Sequence, residues 1–301
     1  LYRYKAFGFV VDSEIEIPEF IESLEEPNVF IRFGDIPDYL ESPLFSGTYF
    51  QASPNQFLLK VNNIANFYVE GGCSIQIKPV KNSAEEDIRL FLLGSAFGAL
   101  IHQRGLLPMH GSSLNIDGKA YIFSGVSGAG KSTLAAALVQ RGHNLLSDDI
   151  SVVSVKNNIP FVYAGYPSVK LWTDSVEKLG MDPETLARVR TSFEKRHVSL
   201  PQNFYSDELA LAGVYILEKG SSEGIHIEQL KGIEKFNLLK DNTYRLYFVK
   251  GLGNTEAHFK HIAAVAQCCQ VKRITRSSQS FSLNKLLDIV EQDIRSNVAE
   301  L

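Results

Sequence analysis

Short runs of aromatic and β-branched residues, parted by turn pairs, fill residues 1–81. The runs are YKAFGFVV, VFIRFG, GTYFQAS, QFLLKV, NFYVEG and SIQIKPV, and the turns are Pro54-Asn55, Asn62-Asn63 and Gly71-Gly72. This composition predicts strands, because such side chains suit a pleated, half-buried surface. No catalytic constellation stands out in the stretch. It reads as a structural or partner-binding unit.

The pattern then changes period. NSAEEDIRLFLLGSAFGALIHQRG opens with a capping box, Ser83 to Glu86, and carries apolar Ile88, Leu92, Phe97 and Leu100 before stopping near Gly105. That predicts one helix of about twenty residues, apolar on much of its circumference and packed between the two halves. MHGSSLNI and KAYIFSG follow as strands joined at Asp117-Gly118, a hairpin signal. A glycine-rich turn leads to a helix from Lys131 to about Arg141, then to strands near 144–147 and 150–155. Beyond them the pattern predicts helices near 173–190, 254–269 and 282–296, with strands at LAGVYILEKG, GIHIEQL and VKRITR. Such a mixture predicts a sheet covered by helices. The expected organisation is a smaller β-rich domain over 1–81 and an α/β (α+β) domain over 82–301.

Gly125-Val126-Ser127-Gly128-Ala129-Gly130-Lys131-Ser132 fits the P-loop pattern G-x-x-x-x-G-K-[ST]. A chance match in a chain of this length is roughly one in a hundred. The context fits as well, since a strand leads in and the helix KSTLAAALVQRG leads out. The glycines let backbone N–H groups converge on phosphate oxygens, and the helix N-terminus adds positive potential. Lys131 neutralises the β and γ phosphates, Ser132 offers a hydroxyl to Mg²⁺, and Thr133 closes the nucleotide-binding set. A glycine-rich helix cap explains two of the glycines, but not three followed by Lys-Ser.

HNLLSDDISVV places Asp148 beside Asp149 between two apolar runs. Two adjacent carboxylates repel, and burying either unpaired is costly. A Mg²⁺ ion at the neighbouring phosphate site would relieve that repulsion. One aspartate could hold the metal or its water, and the other could accept a proton from an attacking hydroxyl. His110 stands at the start of the strand that precedes the P-loop strand.

Bulk properties narrow the class. The 301 residues are 45% hydrophobic and 21% charged, ordinary for a globular protein, with a net charge of −4. That charge argues against nucleic acid as partner. No run approaches the ~18 apolar residues that span a bilayer. LYRYKAFGFVVDSEIEIPEF lacks the apolar core and cleavage site of a signal peptide, and Leu1 is read as following a trimmed start methionine. The expected compartment is therefore cytoplasmic, with no membrane contact. Cys73, Cys268 and Cys269 form neither a disulfide framework nor a zinc pattern, and are expected to be buried small hydrophobes.

Taken together, His110-Gly111, the loop at 125–132, Arg141-Gly142-His143 and Asp148-Asp149 resemble the bacterial HPr kinase/phosphorylase family. His110 precedes Lys131 by 21 residues and Asp149 follows Ser132 by 17, spacings that agree with that family. The likeness is concentrated over about residues 108–155. It implies the P-loop fold shared with phosphoenolpyruvate carboxykinases, with ATP and Mg²⁺ as cofactors. It also implies Asp149 as general base towards a serine, His110 as its neighbour, Lys131 as phosphate clamp, Ser132 as metal ligand and Asp148 as metal support. The family's glutamate-bearing E-I-R-G-x-G segment is absent. The nearest stretch, AGYPSVKLWTDS, offers Lys170 as a phosphate candidate and Asp174 as a metal candidate. The family's later arginine-bearing loop has no clear match, although Lys195-Arg196-His197 could supply cations.

YKAFGFVVDSEIEIPEF, LPMH, MHGSSL and GYPSVKLW are more similar to HPr-kinase-related proteins encoded beside ribosomal-peptide maturation genes, lasso-peptide clusters included. That likeness implies a serine of a peptide or protein as acceptor, such as the C-terminal serine of a precursor peptide. It leaves homo-oligomerisation open. Two other readings stand beside it: a catalytically silent ATP-binding regulator or scaffold, and a small-molecule kinase, carboxykinase-like or acting on free serine.

Overall fold

The computed structural model describes residues 1–190, 194–220, 224–277 and 282–298. Nine strands form the first sheet: β1 (Tyr2–Ala6), β2 (Phe9–Ser13), β3 (Ile21–Glu22), β4 (Val29–Phe33), β5 (Phe45–Ser46), β6 (Phe50–Ser53), β7 (Gln56–Val61), β8 (Ala65–Glu70) and β9 (Ser74–Pro79). Their spatial order is β3-β1-β2-β4-β9-β8-β7-β6-β5. From β5 to β9 each strand pairs antiparallel with the next, and the three turns from β6 to β9 are those the sequence predicts. Phe57, Phe67, Val69, Ile75 and Ile77 are fully covered, so this sheet has an inner face that needs a lid.

The lid is the helical stretch that follows. α1 (Glu85–Phe91) runs through a π turn (Leu92–Ala96) into α2 (Phe97–Gln103). The expected apolar set Ile88, Leu92, Phe97 and Leu100 is buried in the same core as the sheet residues. The capping box is not used. Ala84 precedes the helix, while the Ser83 hydroxyl donates to Val80 O (2.8 Å) and closes the turn before it. This core extends into the rest of the chain. Phe7 meets Tyr166 edge-on (5.8 Å), Phe20 meets Phe97 (5.5 Å), and Ile150, Val152 and Phe248 join them. Gly165 makes the closest passage possible, because a Cβ there would collide with the Ser147 side chain and the Phe7 ring.

The second sheet is mixed. It contains β10 (Leu107–Ile116), β11 (Lys119–Ser124), β12 (Asn144–Ser147), β13 (Ile150–Lys156), β14 (Ile159–Tyr163), β17 (Leu209–Gly220), β18 (Ile225–Gln229) and β19 (Gln270–Ser277). The order is β11-β10-β13-β14-β17-β19-β18, and β11 also pairs with β17, so five of these strands close into a ring. β17 lies parallel to both β11 and β19, while β10 is antiparallel to β11, β12 and β13. Asp117 (φ 52°) and Gly118 (φ 77°) make the expected hairpin turn. A separate pair, β15 (Ser168–Trp172) and β16 (Lys195–Ser199), flanks the sheet. Helices α3 (Lys131–Gln140), α5 (Gly232–Asp241), α7 (Thr255–Cys268) and α8 (Leu283–Val298) pack around it, while α6 (Leu246–Gly251) packs against β6 of the first sheet. The architecture is α/β, a β-sheet unit followed by a mixed sheet with helices.

Two local expectations are corrected. In place of long helices over 173–190 there is only α4 (Thr173–Lys178) and a 3₁₀ turn (Pro183–Thr185). Gly180, at φ 73°, ends the first and Pro183 blocks its continuation. Of the cysteines only Cys269 is buried. Cys73 lies exposed in the β8–β9 turn and Cys268 exposed at the end of α7. No helix among the described residues is long and apolar enough to cross a membrane.

Candidate active site

The P-loop lies between β11 and α3, as its pattern predicts. Gly125 (φ 134°), Gly128 (φ 79°) and Gly130 (φ 101°) all take conformations that side chains disfavour. At Gly125 a Cβ would also strike the backbone of Leu217 on the parallel neighbour β17. Val126, Ser127 and Gly128 form the exposed crest of the loop, while Ala129 is buried. Ala129 O accepts from Arg276 Nη2 (2.9 Å), which ties the loop to β19. Lys131 is 7% exposed and folds back, donating to Gly125 O (2.8 Å) and Val126 O (3.2 Å). Burial lowers its pKa, against the opposing pull of Asp149 and Asp148. Ser132 is half-buried at the start of α3, and the Thr133 hydroxyl turns away to Ser175 Oγ (3.1 Å).

Asp148 and Asp149 occupy the turn between β12 and β13 and not the middle of a strand. The Ser147 hydroxyl closes that turn on Ile150 O (2.6 Å). Asp149 has φ 70°, a left-handed conformation that Asp tolerates better than most residues. The two side chains part company. Asp148 is 3% exposed, with Oδ1 accepting from Ser112 Oγ (2.6 Å) and Oδ2 from the Lys170 backbone N–H (2.9 Å). The Asp149 side chain keeps 36% of its exposure and lines an open cleft of about 650 Å³.

His110 meets Asp149 in that cleft. Its Nδ1 lies 3.1 Å from Asp149 O and 3.6 Å from Asp149 Oδ1. A carbonyl only accepts, so Nδ1 carries the proton and Nε2 is bare in the neutral ring. Burial, then Lys131, pushes the His110 pKa down. For Asp149, burial acts to raise the pKa, but Lys170, His110, Lys195 and Lys131 outweigh it and hold the carboxyl below the usual carboxylate range. Lys170 shows the reverse balance. Burial opposes its charge, yet Tyr166, Asp149, Tyr244 and Asp148 raise its pKa. Asp149 is thus an anion ringed by cations beside a neutral imidazole.

The remaining sequence candidates divide. Lys170 and Lys195 act on Asp149, and Lys195 Nζ also lies 5.0 Å from the Trp172 ring centre. Asp174 pairs with Lys178 (3.1 Å) at α4 and does not line the cleft. Arg196 is buried against Glu184 (3.0 Å), and His197 lines a neighbouring cavity.

The far wall of the cleft comes from residues that sequence patterns miss: Glu218, Asp241, Asn242, Tyr244 and Arg245. Glu218 sits on β17, two residues past the position opposite Ser124, and pairs with Arg273 (3.2 Å). Residues 242–244 run antiparallel to the start of β10, with His110 N donating to Asn242 O (2.7 Å) and Tyr244 N to Pro108 O (2.8 Å). This brings Tyr244 to 5.8 Å from the His110 ring and puts Arg245, at φ 52°, in the cleft. An arginine therefore stands in the site, where the sequence showed no matching loop. The weak available signal was the polar turn DNTYR between two apolar stretches.

Residues 106–172 match the profile of the HPr Serine kinase C-terminal domain. The HPr kinase/phosphorylase of Chloroherpeton thalassium is 30% identical over 92 residues, 30% of this chain and 27% of that protein. That of an Azoarcus species is 36% identical over 87 residues, 29% of this chain and 26% of that protein. The chain spans about a quarter of the length of these two curated relatives. The solved Hpr(Ser) kinase/phosphatase from Coxiella burnetii aligns with 14% identity and a TM-score of 0.37, covering 64% of this chain and 97% of that one. The chain is HPr-kinase-like, and the stretch that matches the family profile holds His110, the P-loop and the paired aspartates.

Proposed function

We propose that this protein is a Mg²⁺-dependent kinase that transfers the γ-phosphoryl group of ATP to a serine hydroxyl of a peptide or protein. The observation that carries the reading is Asp149: an accessible carboxylate beside His110, in the same cleft as Gly125 and Val126 of the P-loop. A nucleotide-binding regulator or scaffold needs the loop, but not a carboxylate presented at its mouth. Residues 1–81 and 82–301 are taken as two units that share one core.

The geometry supports the following roles. Lys131 leaves its loop carbonyls for the β and γ phosphate oxygens, and Gly125 to Thr133 supply backbone N–H groups. Arg245 adds a second cation from the opposite wall. The serine oxygen bonds to the γ-phosphorus as the bond to the bridging oxygen of ADP breaks, and the hydroxyl proton passes to Asp149. A carboxyl held low is deprotonated at neutral pH and so open to accept that proton.

The donor set suits Mg²⁺. Among the described residues no group of three or more His, Cys, Asp or Glu could hold a metal, and Mg²⁺ needs none, since it keeps waters and takes phosphate oxygens. Ser132 would hold it directly. Asp148, with one lone pair on each oxygen already used, would support it through the remaining ones or through water. Mg²⁺ there would neutralise charge on the transferring phosphoryl group.

The acceptor implied by the sequence likeness is a precursor peptide with a C-terminal serine. The deciding experiment incubates the protein with Mg²⁺-ATP and serine peptides, C-terminal and internal, with free serine as control, and reads products by mass. Phosphoserine on a peptide is expected. Its absence from every peptide, with ATP still bound by calorimetry, would favour the regulator. Product on free serine alone would favour a small-molecule kinase.

A further inference from the structure

A second groove, of about 690 Å³, adjoins the candidate cleft, and the two share Arg245 and Tyr247 in their walls. Its other wall belongs to the N-terminal sheet, where Tyr49 and Phe50 lead into β6 and Leu59 to Val61 end β7. Phe50 packs towards Tyr247 (5.6 Å) and Phe248 (5.0 Å), which locks the first sheet to α6. The groove is thus built from both parts of the chain and opens beside the reaction centre.

Its chemistry is one-sided. Tyr49 is 65% exposed and Tyr247 51% exposed, so two large rings face solvent next to the cleft. Exposed aromatics grouped in this way mark a surface that a partner covers. Lys60, Arg190 and Arg245 line the groove, with no carboxylate among its described lining residues. Arg190 is held by Asp87 (2.9 Å), and Arg245 Nη1 donates to Tyr247 Oη (2.8 Å). Lys60 is exposed, and its backbone N–H donates to Tyr49 O (2.8 Å), which makes the two residues neighbours across the paired strands.

We propose that this groove holds the acceptor polypeptide, through a segment that carries an aromatic or large aliphatic side chain and a carboxylate near the serine. The inference rests on the serine-kinase reading and adds the composition of the substrate to it. The apolar side chain lies among Tyr49, Phe50 and Tyr247. The carboxylate meets Lys60, and the chain continues over Arg245 to bring the hydroxyl to Asp149. Continuity with the cleft, and a lining in which Lys60 and Arg245 meet no carboxylate among the described lining residues, select this occupant over a basic or purely polar one.

The test titrates labelled serine peptides against the full chain with Mg²⁺ and ADP. One peptide flanks serine with Phe and Glu, a second has Lys for Glu, and a third has Ala for Phe. The first should bind about tenfold more tightly than either control. Tyr49→Ala and Lys60→Glu, both at exposed positions, should each weaken it about tenfold with ADP affinity unchanged. Lys60→Glu should also turn preference towards the Lys peptide. Equal binding of all three peptides, no binding of any, or binding untouched by both variants would overturn the proposal. So would a dimer seen by sedimentation and lost in both variants, because a second copy of this chain would then occupy the groove. Phosphoserine is read separately. Selective binding without transfer sinks the kinase reading and leaves the groove standing, whereas transfer without selectivity does the opposite.

Discussion

His110 and Asp149 touch at two levels: the imidazole Nδ1 lies 3.1 Å from the Asp149 carbonyl oxygen and 3.6 Å from its carboxylate. The first contact fixes the ring to the backbone of the β12–β13 turn. The second puts the ring beside the charge. A substitution confined to the Asp149 carboxylate should therefore remove the charge without freeing the ring.

Asp149→Asn is that substitution, since Asn keeps the shape and tolerates φ 70°. Phosphoryl transfer should fall about a thousandfold, the range of a lost general base, while nucleotide affinity holds. Phosphopeptide yield by mass, beside a nucleotide titration, reads both quantities. Normal turnover in this variant would end the base assignment.

Lys131→Ala should lower transfer by about a hundredfold or more through loss of charge stabilisation. Single-turnover rates at saturating ATP check it. A variant that differed only in ATP affinity would show Lys131 as a binding residue alone.

The pH profile should be unusual for a histidine-bearing site. Burial and Lys131 disfavour the protonated ring of His110, and its neighbours hold the Asp149 carboxyl low. Protonation of either group is thus postponed to more acidic solution. The transfer rate should stay level as pH falls through about 6.5, the ordinary histidine value, and decline only below it. An acid limb centred at or above that value would contradict the arrangement.

His102 ties stability to pH. It is 2% exposed, its Nε2 lies 2.9 Å from Tyr244 O, and burial pushes its pKa to about 4. The unfolded ring takes a proton below about 6.5, but the folded one only near the lower value. Stability is therefore full above the unfolded value and drains away as pH falls between the two, by up to about 3 kcal/mol. His102→Gln can keep a donor to Tyr244 without titrating. Urea unfolding of the two proteins across that window should show a flatter curve for the variant, and parallel curves would refute the assignment.

Ser112→Ala strips Asp148 Oδ1 of its 2.6 Å partner inside the protein. A buried carboxylate oxygen left short of a donor should cost about 2 kcal/mol. The urea midpoint measures it. An unchanged midpoint would mean that Ser112 does not hold Asp148.

What the sequence displays is what its own neighbours determine. The strand, loop and helix of residues 119–140, the Asp117-Gly118 hairpin and the paired aspartates are all local patterns. Glu218 is brought to the P-loop by the parallel pairing of β11 with β17, whose residues are about ninety positions apart, and such pairing has no local signature. Residues 242–245 reach His110 by bonding to the start of β10, again across the chain. Where local signals misled, a stronger local rule prevailed: Gly180 and Pro183 over the apolar periodicity of 173–190, and the turn at Val80 over a capping box at Ser83. The separate fates of Asp148 and Asp149 depend on one positive φ, which their adjacency does not reveal.

The core shared by the first sheet and the helix of residues 85–103 also sets an order in time. The nine strands leave the ribosome before Phe97 and Leu100, and long before Phe248, which closes the far end of the same core. At about 5–20 residues per second the sheet's inner face stays uncovered for several seconds of synthesis. Newly made chains therefore pass through a sticky interval that the finished protein does not betray, and slowing translation between Pro79 and Gln103 should lengthen their stay on chaperones.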